Sequence, residues 1–130
     1  MKLDIALVEG ATYSAAARSL PFVYTVAFDH QTVIAGEPRA TGCLLVNTRD
    51  CEIVAGYSLT ILSLLDAECT TFAAGEYARL RVDALEHEES QSDLIPGTYE
   101  LSAKVALKVK GSDGAIRHQE LRATRLLVLT

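Results

Sequence analysis

The stretch that decides the fold is Thr98 to Lys110, TYELSAKVALKVK, which is followed by the turn Gly111-Ser112-Asp113-Gly114 and a second stretch from Ala115 to Thr130. In the first stretch apolar residues occupy alternate positions and most residues between them are polar, which is the two-residue period of a half-buried β-strand. A glycine-bounded turn between two such stretches predicts a β-hairpin. We therefore expect an antiparallel sheet with one face on a core.

Short apolar stretches separated by turn residues also run through the rest of the chain. This pattern is typical of a β-sandwich or barrel. Thr12 to Arg18 fits either a strand or a turn. Asp83 with Glu86 three residues later resembles a helix N-cap, which predicts a short helical crossover from Asp83 to Gln91. The other predicted strands are Lys2 to Val8, Phe22 to Phe28, Gln31 to Ala35, Arg39 to Asn47, Glu52 to Ala55, Tyr57 to Leu65, Cys69 to Ala73 and Glu76 to Val82.

Length and composition favour a single domain that spans residues 1–130. Hydrophobic residues make up 49% of the chain and aromatic residues only 6%, so we expect an aliphatic core and some apolar surface that a partner covers. The three cysteines, Cys43, Cys51 and Cys69, lack zinc-site spacing. Their odd number and the absence of a secretory pattern favour synthesis in a reducing cytosol, with free thiols.

The motifs of common catalytic sites are missing from the sequence. It contains no Gly-x-Ser-x-Gly motif and no glycine-rich phosphate loop. His87 lies among Glu86, Glu88 and Glu89, but adjacent residues on a helical turn point in different directions, so a solvated surface is the favoured interpretation. We expect no enzymatic activity, no catalytic residues, no cofactor and no metal.

Charge is distributed unevenly along the chain, whose net charge is −5. Residues 1–103 hold six basic and fifteen acidic residues, whereas residues 104–130 hold six basic and two acidic ones. The basic hairpin has three interpretations: charges that prevent edge-to-edge pairing, docking onto an acidic patch of a neighbouring copy, or nucleic-acid binding. The overall acidity and the lack of interleaved aromatic residues disfavour nucleic acid. No apolar run is long enough to span a bilayer, so we expect no membrane partner.

Both ends of the chain resemble one family. Leu7 to Ser14, LVEGATYS, forms a strand and a Gly-Ala-Thr-aromatic turn, and Leu94 to Tyr99, LIPGTY, leads into the final hairpin that ends in Leu126 to Thr130, LLVLT. These features resemble the small Ig-like β-sandwich structural proteins of tailed bacteriophages, similar to the N-terminal domains of baseplate and receptor-binding-complex proteins. With the strand pattern, the resemblance implies an all-β, antiparallel Ig-like β-sandwich of about eight to ten strands with one short helical crossover.

The resemblance also implies a virion protein that is synthesised in the host cytoplasm. We expect a non-enzymatic structural subunit of a phage particle (capsid decoration, neck, tail or baseplate) that docks symmetrically onto copies of itself or other virion proteins. It would be a homo-oligomer or part of a larger assembly. The candidate interface residues are apolar or basic residues of the predicted strands: Tyr57, Leu62, Leu64, Lys104, Lys108, Lys110, Arg117, Arg122, Arg125, Leu126 and Val128.

Two questions stay open at the level of sequence. The apolar runs Tyr57 to Leu65 and Leu126 to Leu129 are either interface or core, and core is favoured because most apolar runs are buried. The alternative function is an intracellular Ig-like binding or inhibitor module, which would present loops to a protein partner. Its contact loops would be Asp29 to Gln31, Asn47 to Cys51 and Glu86 to Asp93.

Overall fold

The computed structural model describes residues 1–58, 68–86 and 94–130. These residues form nine strands, and each strand pairing is antiparallel, so the all-β antiparallel prediction is confirmed. The strands are β1 (Lys2–Leu7), β2 (Pro21–Ala27), β3 (Thr32–Ala35), β4 (Arg39–Asn47), β5 (Ile53–Ser58), β6 (Cys69–Phe72), β7 (Tyr77–Asp83), β8 (Gly97–Lys110) and β9 (Ile116–Leu129).

The strands form two sheets. The three-stranded sheet has the order β1-β2-β7. In the six-stranded sheet β8 is central: β9 pairs with its whole length, from Gly97 to Lys110. On its other side β4 pairs with residues 99–106 and β3 pairs with Val109 and Lys110. The outer strands β5 and β6 pair with β4 and β3, respectively.

One hydrophobic core joins the inner faces of the two sheets in a sandwich-like arrangement. Phe22 and Tyr24 of β2 and Leu101 of β8 are completely buried within it. Phe28 stacks on Phe72 with ring centroids 4.3 Å apart and links the end of β2 to β6. Removing a large apolar side chain from water stabilises the fold by about 1.5–3 kcal/mol. The alternating patterns of β2 and β8 therefore determine which face of each sheet lies on the core.

A buried tyrosine fixes the start of β8. The Tyr99 hydroxyl donates to the Ile95 carbonyl oxygen at 2.7 Å and accepts from the Ile95 N–H at 3.3 Å. The tyrosine ring is completely buried, so the bonds tie the chain before β8 to the core.

The structure corrects the predicted helical crossover, because the described residues contain no helix. Asp83 ends β7, and its carboxylate accepts from the N–H groups of Leu85 and Leu20 in a turn, instead of capping a helix with Glu86. Residues 87–91 of this prediction lie outside the described residues. None of the described ranges forms a helix long and apolar enough to cross a membrane. Thr12 to Arg18 contains turns and no strand.

The two strands predicted around residues 52–65 are also revised. Ile53 to Ser58 forms one continuous strand that runs through Gly56. The rest of the predicted strand, residues 59–65, lies outside the described residues.

Candidate docking surface on the six-stranded sheet

The six-stranded sheet has an outer face that points away from the core. In β8 the odd-numbered residues from Tyr99 to Leu107 are buried and the residues between them are exposed or half-buried. We call the opposite side, formed by the even-numbered residues of β8 and β9 and their neighbours on β4 and β5, the outer face. Residues that pair across neighbouring strands lie on the same face, so the register of the sheet defines which side chains meet there.

One part of the outer face is apolar. Ile53 pairs with Val46, Val46 with Glu100, and Glu100 with Leu126, which places these four residues in one row across four strands. Ile53 is 61% exposed and Leu126 is 64% exposed. We call this part the apolar end. Its apolar members are Leu44, Val46, Ile53, Leu126 and Val128.

The adjoining part of the outer face is basic. Lys104 pairs with Arg122 on the neighbouring strand. Directly opposed like charges on one face are unfavourable. Glu120 on the same face pairs with Arg122, which leaves an excess of positive charge, so this cationic end favours an acidic neighbour. Its basic members are Lys104, Lys108, Lys110 and Arg122.

Glycine 42 allows Lys104 to lie flat across the sheet. The Lys104 ammonium donates to the Ser58 hydroxyl at 3.0 Å, two strands away. A Cβ added at Gly42 would collide with the Lys104 side chain. The missing side chain thus gives the lysine a path over β4, and its charge is held at a defined place on the outer face.

The two remaining arginines of the predicted interface lie off the outer face. Arg117 forms an exposed ion pair with Asp113, with 3.6 Å between Nη2 and Oδ2. Arg125 Nη1 donates to the Ile5 carbonyl oxygen at 2.9 Å and so connects β9 to the three-stranded sheet. Arg125 is therefore a link between sheets.

Tyr57 also lies off the outer face. It pairs with the buried Cys43 and packs against the core, where burial raises the pKa of its hydroxyl to about 12. The structure thus brings six predicted residues together on the outer face and places three elsewhere. Leu62 and Leu64 lie outside the described residues. The six are Lys104, Lys108, Lys110, Arg122, Leu126 and Val128.

Sequence reasoning missed the contribution of β4 and β5 to this surface. Leu44 and Val46 alternate with the buried Cys43 and Leu45, so both parities of β4 are apolar and neither stands out. The pairing of β4 with β5 shifts register between Leu45 and Val46, which brings Ile53 beside Val46. A register shift of this kind leaves no signal in a single sequence.

The second edge of β9 carries no strand among the described residues. β9 pairs with β8 alone, and β1 lies near it without pairing. Within residues 1–58, 68–86 and 94–130, backbone hydrogen bonds reach this edge at its extreme end: the Thr130 N–H donates to the Tyr13 carbonyl oxygen at 3.2 Å, and the Ala15 N–H donates to the Thr130 carbonyl oxygen at 3.1 Å. A long edge strand with free backbone groups is a template for pairing with another strand.

No site for metal-dependent chemistry stands out in residues 1–58, 68–86 and 94–130, where no three His, Cys, Asp or Glu side chains cluster to hold a metal ion. Cys43 is buried, and burial raises the pKa of its thiol, which makes it less reactive. Cys51 and Cys69 are exposed, free thiols.

An open groove between β3, β6 and β7 is lined by Ile34, Phe72 and Leu80 among others.

The two described loops of the alternative contact set lie at opposite ends of β8. Asp29 to Gln31 precedes β3, whose Val33 pairs with Lys110, whereas Asn47 pairs with Tyr99. Tyr99 and Lys110 are eleven positions apart along β8, which is roughly 35 Å. Glu86 is described as part of a turn, and residues 87–93 of the third loop lie outside the described residues.

Comparison with known proteins adds no relative to this geometry. No protein-family model, no curated protein and no solved structure matches the chain.

Proposed function

We propose that this protein is a non-enzymatic structural subunit of a tailed-phage particle, which assembles by docking through the outer face and free edge of its six-stranded sheet. The observation that carries the proposal is the outer face itself. Its apolar end exposes Ile53, Leu126 and Val128, and its cationic end places Lys104 opposite Arg122. A partner with an apolar and acidic surface would remove the first group from water and neutralise the second.

The distribution of strands between the two sheets supports the Ig-like resemblance from which the virion role is proposed. In Ig-like domains strands A, B and E share one sheet, and C, F and G share the other. Here β1, β2 and β7 share the first sheet, and β4, β8 and β9 share the second. The Tyr99 hydroxyl bonds back to Ile95 at the start of β8, as the tyrosine corner of Ig-like domains does at strand F.

The geometry of the loops favours sheet docking over the alternative of a loop-binding module. The two described loops, Asp29 to Gln31 and Asn47 to Cys51, lie near opposite ends of β8. A single compact partner would therefore contact one of them at a time. The outer face, in contrast, is continuous from β5 to β9.

The proposal is tested by the solution mass of the protein, measured by light scattering coupled to size exclusion over a range of concentrations. We expect a mass that is a multiple of the 14.0 kDa chain. The double variant Lys104→Glu/Lys108→Glu reverses the cationic end and should lower that mass. Lys2→Glu, an exposed charge reversal on β1, is the matched control and should leave the mass unchanged. A monomer at every concentration would remove self-docking and raise the loop-binding module to equal standing.

A further inference from the structure

We infer that the β9 edge binds the β9 strand of a second copy of this chain, antiparallel, with Leu121 facing Leu121 of the second copy on a two-fold axis. This inference rests on the proposed function and deepens it by naming the partner and the register. It joins the two six-stranded sheets into one continuous sheet, and the contact is isologous because both copies use the same segment.

The length of free edge sets the centre of this contact. β9 begins at Ile116 and ends at Leu129. The next residue, Thr130, forms backbone hydrogen bonds with Tyr13 and Ala15, which cover the edge at this end of the strand. Arg125 at the same end is engaged with the Ile5 carbonyl oxygen. The eleven residues from Ile116 to Leu126 have their midpoint at Leu121. An antiparallel copy centred there pairs the whole segment and ends before the covered residues.

Charge on the outer face selects the same register. Facing residues in an antiparallel pair share a face of the sheet, so the two-fold axis passes through a residue. With the axis at Leu121, Glu120 of each copy faces Arg122 of the other. Moving the axis one residue either way opposes two Glu120 carboxylates or two Arg122 guanidiniums, which is unfavourable.

The Glu120–Arg122 pair already exists within one chain and would become a network. Arg122 Nε donates to Glu120 Oε1 at 2.6 Å, along the strand. In the paired sheet each carboxylate would lie between two guanidiniums, one from each copy. Lys104, which stands beside Arg122 on β8, would also gain an opposite charge nearby.

Two apolar residues meet in the same register. Ile116 is 47% exposed and Leu126 is 64% exposed. With Leu121 on the axis, Ile116 of each copy faces Leu126 of the other. Apolar cross-strand pairs stabilise a sheet, so both ends of the paired segment are closed by apolar contacts.

The opposite face of β9 tolerates this register. The register centred on Leu121 places Arg117 of one copy opposite Arg125 of the other, but both arginines already have partners. Arg117 pairs with Asp113, and Arg125 is directed to the Ile5 carbonyl oxygen of the other sheet. Each Arg117 therefore enters the contact with its own carboxylate.

Disulfide formation between single cysteines tests the register directly. In a background of Cys51→Ser and Cys69→Ser, which removes the exposed thiols, Leu121→Cys is expected to form a disulfide-linked dimer under mild oxidation, because facing residues on paired strands have suitable Cα separations. Gln119→Cys and Ala123→Cys are the matched controls on the same face of β9. Alone they should stay unlinked, whereas a mixture of the two variants should cross-link.

Charge exchange supplies a second, independent test. Glu120→Arg and Arg122→Glu each create two like-charge pairs and should weaken the dimer about tenfold or more. The double variant Glu120→Arg/Arg122→Glu recreates both opposite-charge pairs and should recover most of the parental affinity. The mass of each variant is measured as a function of concentration, and its circular dichroism confirms that it is folded.

The outcomes separate this inference from the proposed function. Cross-linking at 121 together with recovery in the double variant supports the β9 register. Two results together overturn the register and leave docking through the outer face standing. The first is cross-linking of the single variants at 119 or 123 alone, or at none of the three positions. The second is a double variant Glu120→Arg/Arg122→Glu that assembles as weakly as the single charge variants. A monomer at every concentration overturns both forms of self-docking and supports the interpretation of Glu120 and Arg122 as charges that block edge pairing.

Discussion

The Tyr99 hydroxyl donates a 2.7 Å hydrogen bond to the Ile95 carbonyl oxygen, four residues before it and across the bend that leads into β8. β8 has partners on both sides over most of its length, because β9 pairs with one edge and β4 and β3 pair with the other. This single side-chain contact therefore holds the start of the strand on which the candidate docking surface is built.

We expect Tyr99→Phe to lower the free energy of unfolding by about 1–3 kcal/mol, because it leaves the backbone groups of Ile95 without the hydroxyl that they both contact. Urea denaturation followed by fluorescence or circular dichroism measures the change. An unchanged midpoint would show that solvent replaces the hydroxyl at no cost.

Tyr24→Phe is the matched control for that experiment. Tyr24 is also completely buried, but its hydroxyl has no hydrogen-bond partner among the described residues, although it lies near Cys43. Burial raises the pKa of this hydroxyl far above its ordinary value. Removing an unsatisfied buried hydroxyl should leave stability unchanged or increase it. A decrease in the free energy of unfolding as large as that of Tyr99→Phe would show that the Tyr24 hydroxyl has a hydrogen-bond partner.

A second prediction concerns Gly56 within β5. Its φ is +126°, and a Cβ added there would overlap the Cys43 carbonyl oxygen on β4. Gly56→Ala should therefore separate β5 from β4 and cost on the order of 3 kcal/mol or more. Gly75→Ala is the control, because φ is +88° at Gly75 but an added Cβ would have no atom within 4 Å. That variant should cost only the backbone strain, about 1–2 kcal/mol. Thermal melts measure the stability of both variants. An equal loss of stability in Gly56→Ala and Gly75→Ala would show that the close approach of Gly56 to the Cys43 carbonyl oxygen is unimportant.

Much of the fold was predictable from alternation in the sequence. The hairpin of β8 and β9 was expected from its two-residue period, and the burial of Tyr99, Leu101 and Leu107 agrees with it. The bounds of β4 were also predicted correctly. The helical crossover was wrong in the described residues because the same Asp that can cap a helix can also close a turn. Its carboxylate found backbone donors in Leu85 and in the distant Leu20.

The docking surface was predictable only in part. The basic character of the final hairpin is visible in the sequence, and the outer face carries four of its predicted cations. The residues that lie beside those cations cannot be predicted from the sequence, because they depend on strand order and register. Ile53 joins the surface through a register shift. Arg125 leaves it because β9 lies beside β1, and Ile5 there offers a carbonyl oxygen 120 residues away in the chain.

A third prediction resolves the apolar run at the end of β9. Leu127 is 4% exposed and Leu129 is buried, whereas Leu126 and Val128 are largely exposed, so the run is core on one side and surface on the other. We expect Leu126→Thr/Val128→Thr to change monomer stability by less than about 0.5 kcal/mol and to weaken assembly. Leu127→Ala is the contrasting variant and should cost about 2–5 kcal/mol. Unchanged assembly in the double variant would show that the apolar end is not a contact.

The pH dependence of stability should contain a contribution from Asp83 at the end of β7. Burial alone would raise the pKa of its carboxyl, but hydrogen bonds from the N–H groups of Leu85 and Leu20 and from the Ser19 hydroxyl outweigh it, and the net pKa is lowered. Because the folded pKa lies below the unfolded one, the ionised group stabilises the fold above pH about 4. That contribution is lost as the pH falls through the folded pKa.

Asp83→Asn removes this titration and keeps the size of the side chain. We expect the wild type to be the more stable protein near neutral pH, and the difference between the two proteins to shrink as the pH is lowered from about 6 to below about 4. Urea denaturation at a series of pH values measures the difference. Asp4→Asn removes a carboxylate from the exposed side of β1 and reports the effect of net charge alone. A difference between wild type and Asp83→Asn that stays constant with pH would mean that the ionised and the protonated carboxyl of Asp83 stabilise the fold equally, so that folding does not lower its pKa.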